Sequence, residues 1–584
     1  MQASGQTKNV SARRHWLLGG TLIVVLMGLT ARLAYWQLAE HGPLSALAAM
    51  QAEHDEAIPA QRGMLLDRNG TILALTVSED AIVIDPLVVQ QLSATAQDQL
   101  VQQLVTLTGL TPEVIRPQLL LATGYHLLSD SNSAVVHLKP DTSDQAQHLA
   151  AIGALPGVTL QMQSWREEPG GSLGGQMLGF VSTATGDGQY GVEAATNALL
   201  AGIPGQMIAA FNPDGEPIAN APQRIIPATP GADITLTIDA NLQAIAERGL
   251  RDAVAQTGAT GGTVIIEDPQ TGEILAMANA PDFDPNAYAS ASLANFQNPA
   301  VASIYDPGST MKAITMAAGV DVGAITPDTA FQDPGTLTVG GQTIANWGHL
   351  AWTSETMTQV LQHSSNVGAA WVAVNQIGAT RFDDYLNRFG FGAPTGIDVA
   401  GEVPGLLAPH EPTAQLTQLD LAENAFGESI GVTPLQMVMA YGALANGGLL
   451  MHPQIIHSIT SNGQTQTIAP LVVRRVINAQ TSATVTQMLT TSALHSEAET
   501  VLIPGYDVAA KTGTSTPDPQ NLASTYASVL GYAPANQPRF VVLVKLDHPQ
   551  SSIFGGGAAG PLWRALVRQL LAYDAIAPQG GTPA

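Results

Sequence analysis

The stretch YDPGSTMK spans residues 305–312, and its last four residues form the pattern S-x-x-K. Pro307-Gly308 interrupts any element that precedes it, so Ser309 is predicted at or near a helix N-terminus. Residues i and i+3 of a helix lie one turn apart on the same face, which places Lys312 beside the Ser309 hydroxyl. Ser309 and Lys312 are therefore the first candidates for a catalytic pair.

The chemistry of this pair depends on the lysine. A serine hydroxyl is a poor nucleophile until a neighbouring base removes its proton. Lysine can be that base when burial or a second cation lowers its pKa, whereas arginine keeps its proton. The chain has five lysines and 17 arginines, and Lys312 is the lysine with a serine three residues before it. Backbone N–H groups at the helix start could also stabilise an oxyanion.

A second motif, Lys511-Thr512-Gly513-Thr514, is predicted at the edge of a β-sheet. Thr512 and Thr514 share one strand face, and Gly513 leaves room for a substrate backbone to approach. These three residues are predicted to bind substrate, because an extended peptide can add to such an edge. Lys511 could hold a terminal carboxylate and act as the second cation. The alternative is a simple edge strand with a solubilising lysine.

A third motif, Ser364-Ser365-Asn366, follows a predicted helix at residues 356–363. Ser364 would relay a proton between the catalytic lysine and a leaving amine, and the Asn366 amide suits a substrate amide or fixes a lysine. Two turn-forming serines and a helix cap are the alternative interpretation. The order S-x-x-K, S-x-N, K-T-G along one chain favours the catalytic interpretation of all three motifs.

Composition narrows the class of protein. A chain of 584 residues is too long for one hydrophobic core, so two or more domains are expected. The net charge of −25 argues against nucleic-acid binding, which would require a basic face. The absence of cysteine excludes disulfides and Cys-ligated zinc, and no metal or cofactor is expected.

The N-terminus contains a predicted membrane anchor at residues 16–38, an apolar stretch with one charge near its far end. Lys8, Arg13 and Arg14 precede it, which predicts a cytoplasmic tail at residues 1–15 and an exported remainder. The alternative is a cleavable signal peptide, whose apolar part is usually shorter. No small-x-small cleavage site follows directly, so a retained single-pass anchor is predicted.

Two exported domains are predicted after the anchor, at residues 45–225 and 230–575, followed by a disordered tail at 576–584. In the first domain Asn69-Gly70 predicts a hairpin with a type I′ turn, and apolar spacing predicts helices at 87–122 and 141–153. The second domain is predicted to be α/β. Strands at 233–238, 262–268, 273–278, 526–532 and 540–546 form an antiparallel sheet, which packs against helices at 240–257 and 561–573 and a mostly helical middle at 309–450.

These residues resemble the class B penicillin-binding proteins, bitopic D,D-transpeptidases that cross-link bacterial peptidoglycan. The resemblance covers nearly the whole chain. RGMLLDRNG at 62–70 is similar to the R-G-x-I-x-D-R-N-G motif of that family's pedestal. Further counterparts are Gly191-Val192-Glu193, Leu200-Ala201-Gly202, Leu236-Thr237-Ile238-Asp239, FGESIGVTPLQ at 426–436 and Phe554-Gly555-Gly556. One departure is Asp306, where members of the family often carry Glu.

The resemblance implies a penicillin-recognising α/β domain held away from the membrane by an elongated pedestal. It implies that Ser309 attacks the penultimate D-Ala carbonyl of a stem peptide and that a neighbouring stem's amine then takes the acyl group. Lys312, Ser364, Asn366 and Lys511 would complete the catalytic site, and β-lactams would bind covalently. No glycosyltransferase region precedes the catalytic domain, so the resemblance implies a separate polytopic membrane glycosyltransferase as partner.

The sequence SSNVG at residues 364–368 indicates the branch of the family. Division enzymes usually carry Asn at the third position of this motif, and elongation enzymes usually carry Asp. A septal transpeptidase that works with other division proteins is therefore predicted. The alternatives are an elongation-type transpeptidase, a D,D-carboxypeptidase or β-lactamase with water as acceptor, a non-enzymatic β-lactam sensor or scaffold, and an unrelated secreted adhesin.

Overall fold

The computed structural model describes residues 7–44, 53–122, 124–130, 135–138, 152, 154–210, 224–407, 417–495, 500–516 and 524–578. Its strands are, in chain order, β1 (Glu53–Ile58), β2 (Leu65–Leu66), β3 (Ile72–Ile84), β4 (His126–Leu127), β5 (His137–Leu138), β6 (Val158–Glu167), β7 (Phe180–Val181), β8 (Gly188–Gln189), β9 (Gly205–Ala210), β10 (Arg224–Ile226), β11 (Asp233–Leu236), β12 (Gly261–Asp268), β13 (Glu273–Ala280), β14 (Ala330–Asp333), β15 (Thr336–Val339), β16 (Gln342–Ala345), β17 (Trp352–Thr356), β18 (Leu449–Met451), β19 (Ile456–Ser461), β20 (Gln464–Thr467), β21 (Val472–Arg475), β22 (Ala509–Ser515), β23 (Tyr526–Ala533) and β24 (Phe540–Asp547). Its α-helices are α1 (Thr7–Leu38), α2 (Pro86–Gln90), α3 (Ala94–Thr108), α4 (Pro112–Leu119), α5 (Gly175–Leu178), α6 (Gly191–Ala195), α7 (Asn197–Leu200), α8 (Ala240–Thr257), α9 (Pro299–Ala302), α10 (Lys312–Asp321), α11 (Met357–Gln362), α12 (Asn366–Trp371), α13 (Ala379–Arg388), α14 (Gln418–Asn424), α15 (Pro434–Ala445), α16 (Ala479–Leu494), α17 (Gly555–Ala558) and α18 (Gly560–Tyr573).

The chain packs as two units, residues 1–61 with 202–230 and residues 62–201 with 231–584. The first unit contains α1 and a three-stranded sheet in the order β1-β9-β10. Within α1, residues 14–38 have a mean hydropathy of 1.9 and are long and apolar enough to cross a membrane. The helix begins before residue 16 because neither glycine nor proline separates residues 7–15 from the apolar stretch. The domain boundaries at 45–225 and 230–575 stay predictions, and residues 579–584 of the predicted tail lie outside the described residues.

The second unit begins with the predicted hairpin, which is confirmed, but the predicted type I′ turn is wrong, because Gly70 has a positive φ of 87° and Asn69 does not have a positive φ. β2 and β3 pair antiparallel, and the Asp67 carboxylate accepts hydrogen bonds from the backbone N–H groups of Asn69 at 2.8 Å and Thr71 at 2.7 Å. β11 pairs with β2 in parallel, so the start of the predicted second domain shares a sheet with the first. The helix predicted at 87–122 is three helices, α2 to α4, since Ser93 caps one and Pro112 begins another. Most of the helix predicted at 141–153 lies outside the described residues.

The second domain contains the predicted antiparallel sheet, with five strands in the order β13-β12-β24-β23-β22. The prediction that the strand at 233–238 belongs to it is wrong, because β11 pairs with β19 and β2 in another sheet and β22 supplies the fifth strand instead. Successive residues of β12 point into two different cores: Val264 and Ile266 pack with α8 and α18, whereas Ile265 packs with the central helices. Helices therefore cover both faces of the sheet. β22 lies at its edge, as predicted from the K-T-G motif, and places that motif beside the turn that carries Ser309.

The middle of this domain differs from the prediction. The middle at 309–450 was predicted to be mostly helical, but it also contains four strands that were not predicted: β14 pairs with β17 and β15 with β16 between α10 and α11. Gly340 and Gly341 have φ values of 56° and 83°, which allow the tight turn between β15 and β16. The alternation of threonine with apolar residues in β15 is typical of a strand, but four residues give only a weak periodic signal.

Candidate active site

The structure places Ser309 and Lys312 as the sequence predicted. Residues Gly308–Met311 form a short 3₁₀ turn that leads directly into α10, so both side chains lie on one face of the first turn. The Nζ atom of Lys312 lies 2.8 Å from the Oγ atom of Ser309. Lys312 is fully buried, which is unusual for a lysine and removes its amine from bulk water.

The S-x-N motif lies on the other side of the lysine. Nζ of Lys312 contacts the backbone oxygen of Ser364 at 2.5 Å and Oδ1 of Asn366 at 2.7 Å. The Ser364 hydroxyl donates to Oγ of Ser309 at 2.8 Å. Ser364 has a φ of 54°, a left-handed conformation that is strained for a residue with a side chain. In this conformation the backbone oxygen and the hydroxyl of Ser364 both lie within hydrogen-bonding distance of the Lys312 amine.

The K-T-G motif completes the cluster from the edge strand β22. Nζ of Lys511 lies 3.1 Å from Oγ of Ser364, and its side chain is buried. The Thr514 hydroxyl accepts a hydrogen bond from the backbone N–H of Gly555 at 3.1 Å, and the Thr512 side chain lies 3.5 Å from Nζ of Lys511. The structure thus brings Ser309, Lys312, Ser364, Asn366 and Lys511 into one hydrogen-bonded group. Substrate binding by residues 512–514 stays a prediction.

The environment of Lys312 favours the neutral amine. Burial, and then the neighbouring Lys511 ammonium, hold the pKa of Lys312 well below its usual range. The carboxylates of Glu428, Asp333 and Glu355 act in the opposite direction but do not restore the pKa. A neutral lysine has a lone pair that can accept the Ser309 proton, so the geometry and the electrostatics agree on the role of a base.

Glycine allows the Ser309 turn to approach the edge strand. Gly308 has a φ of 56°, and a methyl group added there would lie 2.5 Å from the backbone oxygen of Thr514. The backbone N–H of Gly308 donates to the oxygen of Gly427 at 2.9 Å. Gly427 has a φ of 87°, and a methyl group there would lie 2.1 Å from the Gly308 oxygen. The backbones of three segments that are distant in sequence are therefore in direct contact around Ser309.

Sequence reasoning missed the buried polar residues that support the S-x-N motif. Oγ of Ser365 donates to Oδ2 of Asp333 at 2.5 Å and accepts the backbone N–H of Gly368 at 2.8 Å, which caps α12. Nδ2 of Asn346 donates to the same carboxylate oxygen at 2.8 Å, and its Oδ1 accepts the backbone N–H of Val367 at 3.0 Å. These contacts fix the residues that flank Ser364 and Asn366. In the sequence a Pro-Gly pair follows Asp333, which indicates a turn but does not indicate which residues the Asp333 carboxylate contacts.

Comparison with known proteins identifies the family. The penicillin binding protein transpeptidase domain family matches residues 262–568, and the penicillin-binding protein dimerisation domain family matches residues 57–236. The chain belongs to the penicillin-binding protein transpeptidases. Among its relatives, Stage V sporulation protein D of Bacillus subtilis is 30% identical over 98% of this chain and 88% of that protein. The probable peptidoglycan D,D-transpeptidase PbpC of Pseudomonas aeruginosa is 31% identical over 97% of each chain, and peptidoglycan D,D-transpeptidase FtsI of Escherichia coli is 27% identical over 98% and 94%.

Solved structures of penicillin-binding proteins share this fold. Penicillin binding protein 3 of Mycobacterium tuberculosis, complexed with aztreonam, superposes with a TM-score of 0.66 at 26% identity and covers 91% of this chain and 100% of that chain. A peptidoglycan synthetase of Bifidobacterium adolescentis gives a TM-score of 0.69 at 25% identity over 91% and 98%. The predicted α/β fold and the predicted membership of the class B penicillin-binding proteins are confirmed.

Proposed function

We propose that this penicillin-binding protein is a peptidoglycan D,D-transpeptidase that joins stem peptides through an acyl-enzyme on Ser309. One observation carries the proposal: the buried Lys312 amine, whose pKa is lowered, lies 2.8 Å from the Ser309 hydroxyl. Relatives named as peptidoglycan D,D-transpeptidases support the same reaction. Ser364, Asn366 and Lys511 complete the catalytic group.

Acylation begins when the neutral Lys312 amine accepts the proton of the Ser309 hydroxyl. The Ser309 oxygen attacks the carbonyl carbon of the penultimate D-Ala, and the oxyanion forms near the backbone N–H groups of the 3₁₀ turn that carries Ser309. The peptide C–N bond then breaks. The proton passes from Lys312 through the Ser364 hydroxyl, 2.8 Å from Oγ of Ser309, to the leaving D-Ala amine.

Deacylation reverses the same proton path. The amine of a second stem peptide attacks the ester carbonyl and loses a proton through Ser364 to Lys312. The ester C–O bond then breaks, and Lys312 returns the proton to the Ser309 oxygen, 2.8 Å away. Lys511 stays cationic and binds the donor's terminal carboxylate, while the outer edge of β22 pairs with the donor backbone. Thr512, Gly513 and Thr514 provide that edge. A β-lactam acylates Ser309 by the same first step.

One assay distinguishes transpeptidation from hydrolysis. We expect the full chain in detergent to convert a synthetic stem peptide ending in D-Ala-D-Ala, together with an amine acceptor, into a cross-linked product that contains one D-Ala fewer. Mass spectrometry measures the product, and Ser309→Ala is the matched inactive control. Release of D-Ala without cross-linked product at saturating acceptor would instead indicate a D,D-carboxypeptidase.

The proposed cellular role is cross-linking at the division septum, with the N-terminus cytoplasmic and the catalytic unit outside the membrane. The SSNVG motif at 364–368 and the likeness to FtsI of Escherichia coli support this role. The proposed partners are a polytopic membrane glycosyltransferase and other division proteins. Depleting the protein in its host should give filaments or chains without cross-walls. Rounded cells with normal septa would assign the chain to the elongation branch.

A further inference from the structure

A cavity of about 210 Å³ lies away from the Ser309 group, between residues 165–183 and residues 285–290. Both segments belong to the same packing unit. The apolar walls of the cavity are formed by Trp165, Pro285 and Tyr288. Charged groups come from Asp130, Arg166 and Glu168. The other lining residues are Val135, Val181, Thr183, Asn286, Ala287, Ala289 and Ser290. None of these residues takes part in the proposed reaction.

Two residues that line this cavity each carry one buried polar atom without a partner within the described part of the chain. The two atoms are Nη2 of Arg166 and Oε1 of Glu168. The two residues are only 7% and 3% exposed, so neither atom is satisfied by bulk water. A buried polar atom without a hydrogen bond lowers the free energy of unfolding by about 1–3 kcal/mol. Two such atoms beside one cavity are therefore unusual in a folded protein.

The Arg166 side chain and the Glu168 backbone are held in place by hydrogen bonds. Arg166 donates through Nε to the Glu193 carboxylate at 2.7 Å and through Nη1 to the Gly63 oxygen at 2.6 Å, which leaves Nη2 as its spare donor. The backbone of Glu168 exchanges two hydrogen bonds with the Asn286 side chain, at 3.0 Å and 2.9 Å. The guanidinium of Arg166 and the backbone of Glu168 are therefore fixed beside the cavity, and a small rotation of the Glu168 side chain would present its carboxyl group to a ligand.

The walls are equally well supported. The Tyr288 ring stacks on Phe180 with centroids 4.2 Å apart, and its hydroxyl accepts the backbone N–H of Thr183 at 3.0 Å. Phe283 and Phe296 continue this aromatic cluster on the same side. A preformed, partly apolar cavity with a small number of fixed polar groups is the usual form of a small-molecule site.

We propose that this cavity is a second ligand site, which binds a small molecule presenting a carboxylate group to Arg166 and Glu168. The guanidinium N–H supplies a charge-assisted donor, and a protonated Glu168 supplies an O–H donor to the same carboxylate. The apolar walls then cover the remainder of the ligand. A peptide C-terminus and a sugar acid both present this group.

The site also predicts how affinity depends on pH. Burial, and then the Glu193 carboxylate, raise the pKa of Glu168 to about 8; Arg166 lowers it, and Asp284 and Glu167 raise it further. Glu168 is therefore protonated at neutral pH and can donate to the ligand. Above its pKa it becomes a carboxylate that repels the ligand, so affinity should fall as the pH rises from about 7 to about 9.

Calorimetry on the full chain in detergent tests the proposal, after benzylpenicillin has blocked Ser309 so that the donor site is closed. The two probes are N-acetylalanine, which represents a peptide C-terminus, and glucuronate, which represents a sugar acid. The probe that binds more tightly identifies which of the two supplies the carboxylate of the ligand. We expect at least one to bind at about 10 mM or below, and the uncharged N-acetylalaninamide to bind at least about tenfold more weakly than N-acetylalanine if the source is a peptide. Absence of binding by both acids would overturn the proposal.

Three variants locate the binding. Ala289→Trp fills the cavity and should abolish binding, whereas Leu293→Trp, at a position that is 77% exposed and does not line the cavity, should not change it. Glu168→Gln keeps a donor but cannot ionise, so its affinity should stay constant between pH 7 and pH 9 while that of the unmodified chain falls. Unchanged binding by Ala289→Trp would place the probe elsewhere and contradict the proposal.

Discussion

Replacing Lys312 with arginine is expected to slow acylation by penicillin about 10²- to 10⁴-fold, nearly as much as replacing it with alanine. Arginine preserves the positive charge and most of the length, but it does not release its proton at any pH compatible with folding. The reaction needs the neutral amine that burial and Lys511 produce at position 312. The measurement is the time course of labelling by a fluorescent penicillin on the full chain in detergent.

The matched control is Lys545→Arg. Lys545 is also buried, at 4% exposure, but it pairs with Asp547 and lies over the rings of Tyr305 and Tyr526 rather than beside Ser309. Arginine can make the same ion pair and the same cation–π contacts, so labelling should continue at nearly the original rate. Labelling of Lys312→Arg at the rate of the unmodified chain would exclude Lys312 as the base.

Gly308→Ala is expected to slow labelling about 100-fold, although the substitution leaves every polar side chain of the site in place. The new methyl group would lie 2.5 Å from the Thr514 backbone oxygen and would force the Ser309 turn away from β22. The same substitution requires alanine to adopt a φ of 56°, which costs about 1–2 kcal/mol.

Gly323→Ala separates the effect of the contact with the Thr514 backbone from the effect of the positive φ. Gly323 has a similar φ of 70° just after α10, but a methyl group there would have no neighbour within 4 Å. This variant should lower the free energy of unfolding by about 1–2 kcal/mol and leave the labelling rate unchanged. Equal labelling rates for Gly308→Ala and Gly323→Ala would show that the approach of the turn to β22 does not matter for acylation.

The sequence predicted the parts of the site that depend on local spacing. The i, i+3 relation placed Lys312 beside Ser309, and the Thr-Gly-Thr alternation placed Lys511 on an edge strand. Both rest on helix and strand periods, which act over a few residues. The hairpin at Asn69-Gly70 was predictable for the same reason, because its signal is a pair of adjacent turn-forming residues.

Contacts between distant segments were not predictable in this way. Nothing near Asp333 or Asn346 indicates that their side chains meet Ser365, since three separate elements must first fold together. The strands β14 to β17 were missed because short hairpins give a weak periodic signal beside the Ala-rich helices around them. The packing of residues 62–201 with residues 231–584 likewise depends on tertiary contacts such as the parallel pairing of β11 with β2.

The most direct test of the proposed chemistry is to map the covalent penicillin adduct. The full chain in detergent is incubated with benzylpenicillin, digested, and analysed by peptide mass spectrometry. The proposed mechanism predicts a single modified peptide with the adduct on Ser309, because Ser309 combines a position in the first turn with a base 2.8 Å from its hydroxyl. An adduct on Ser364, whose hydroxyl also lies within 3.2 Å of the Lys312 amine, or no adduct on any serine, would contradict it.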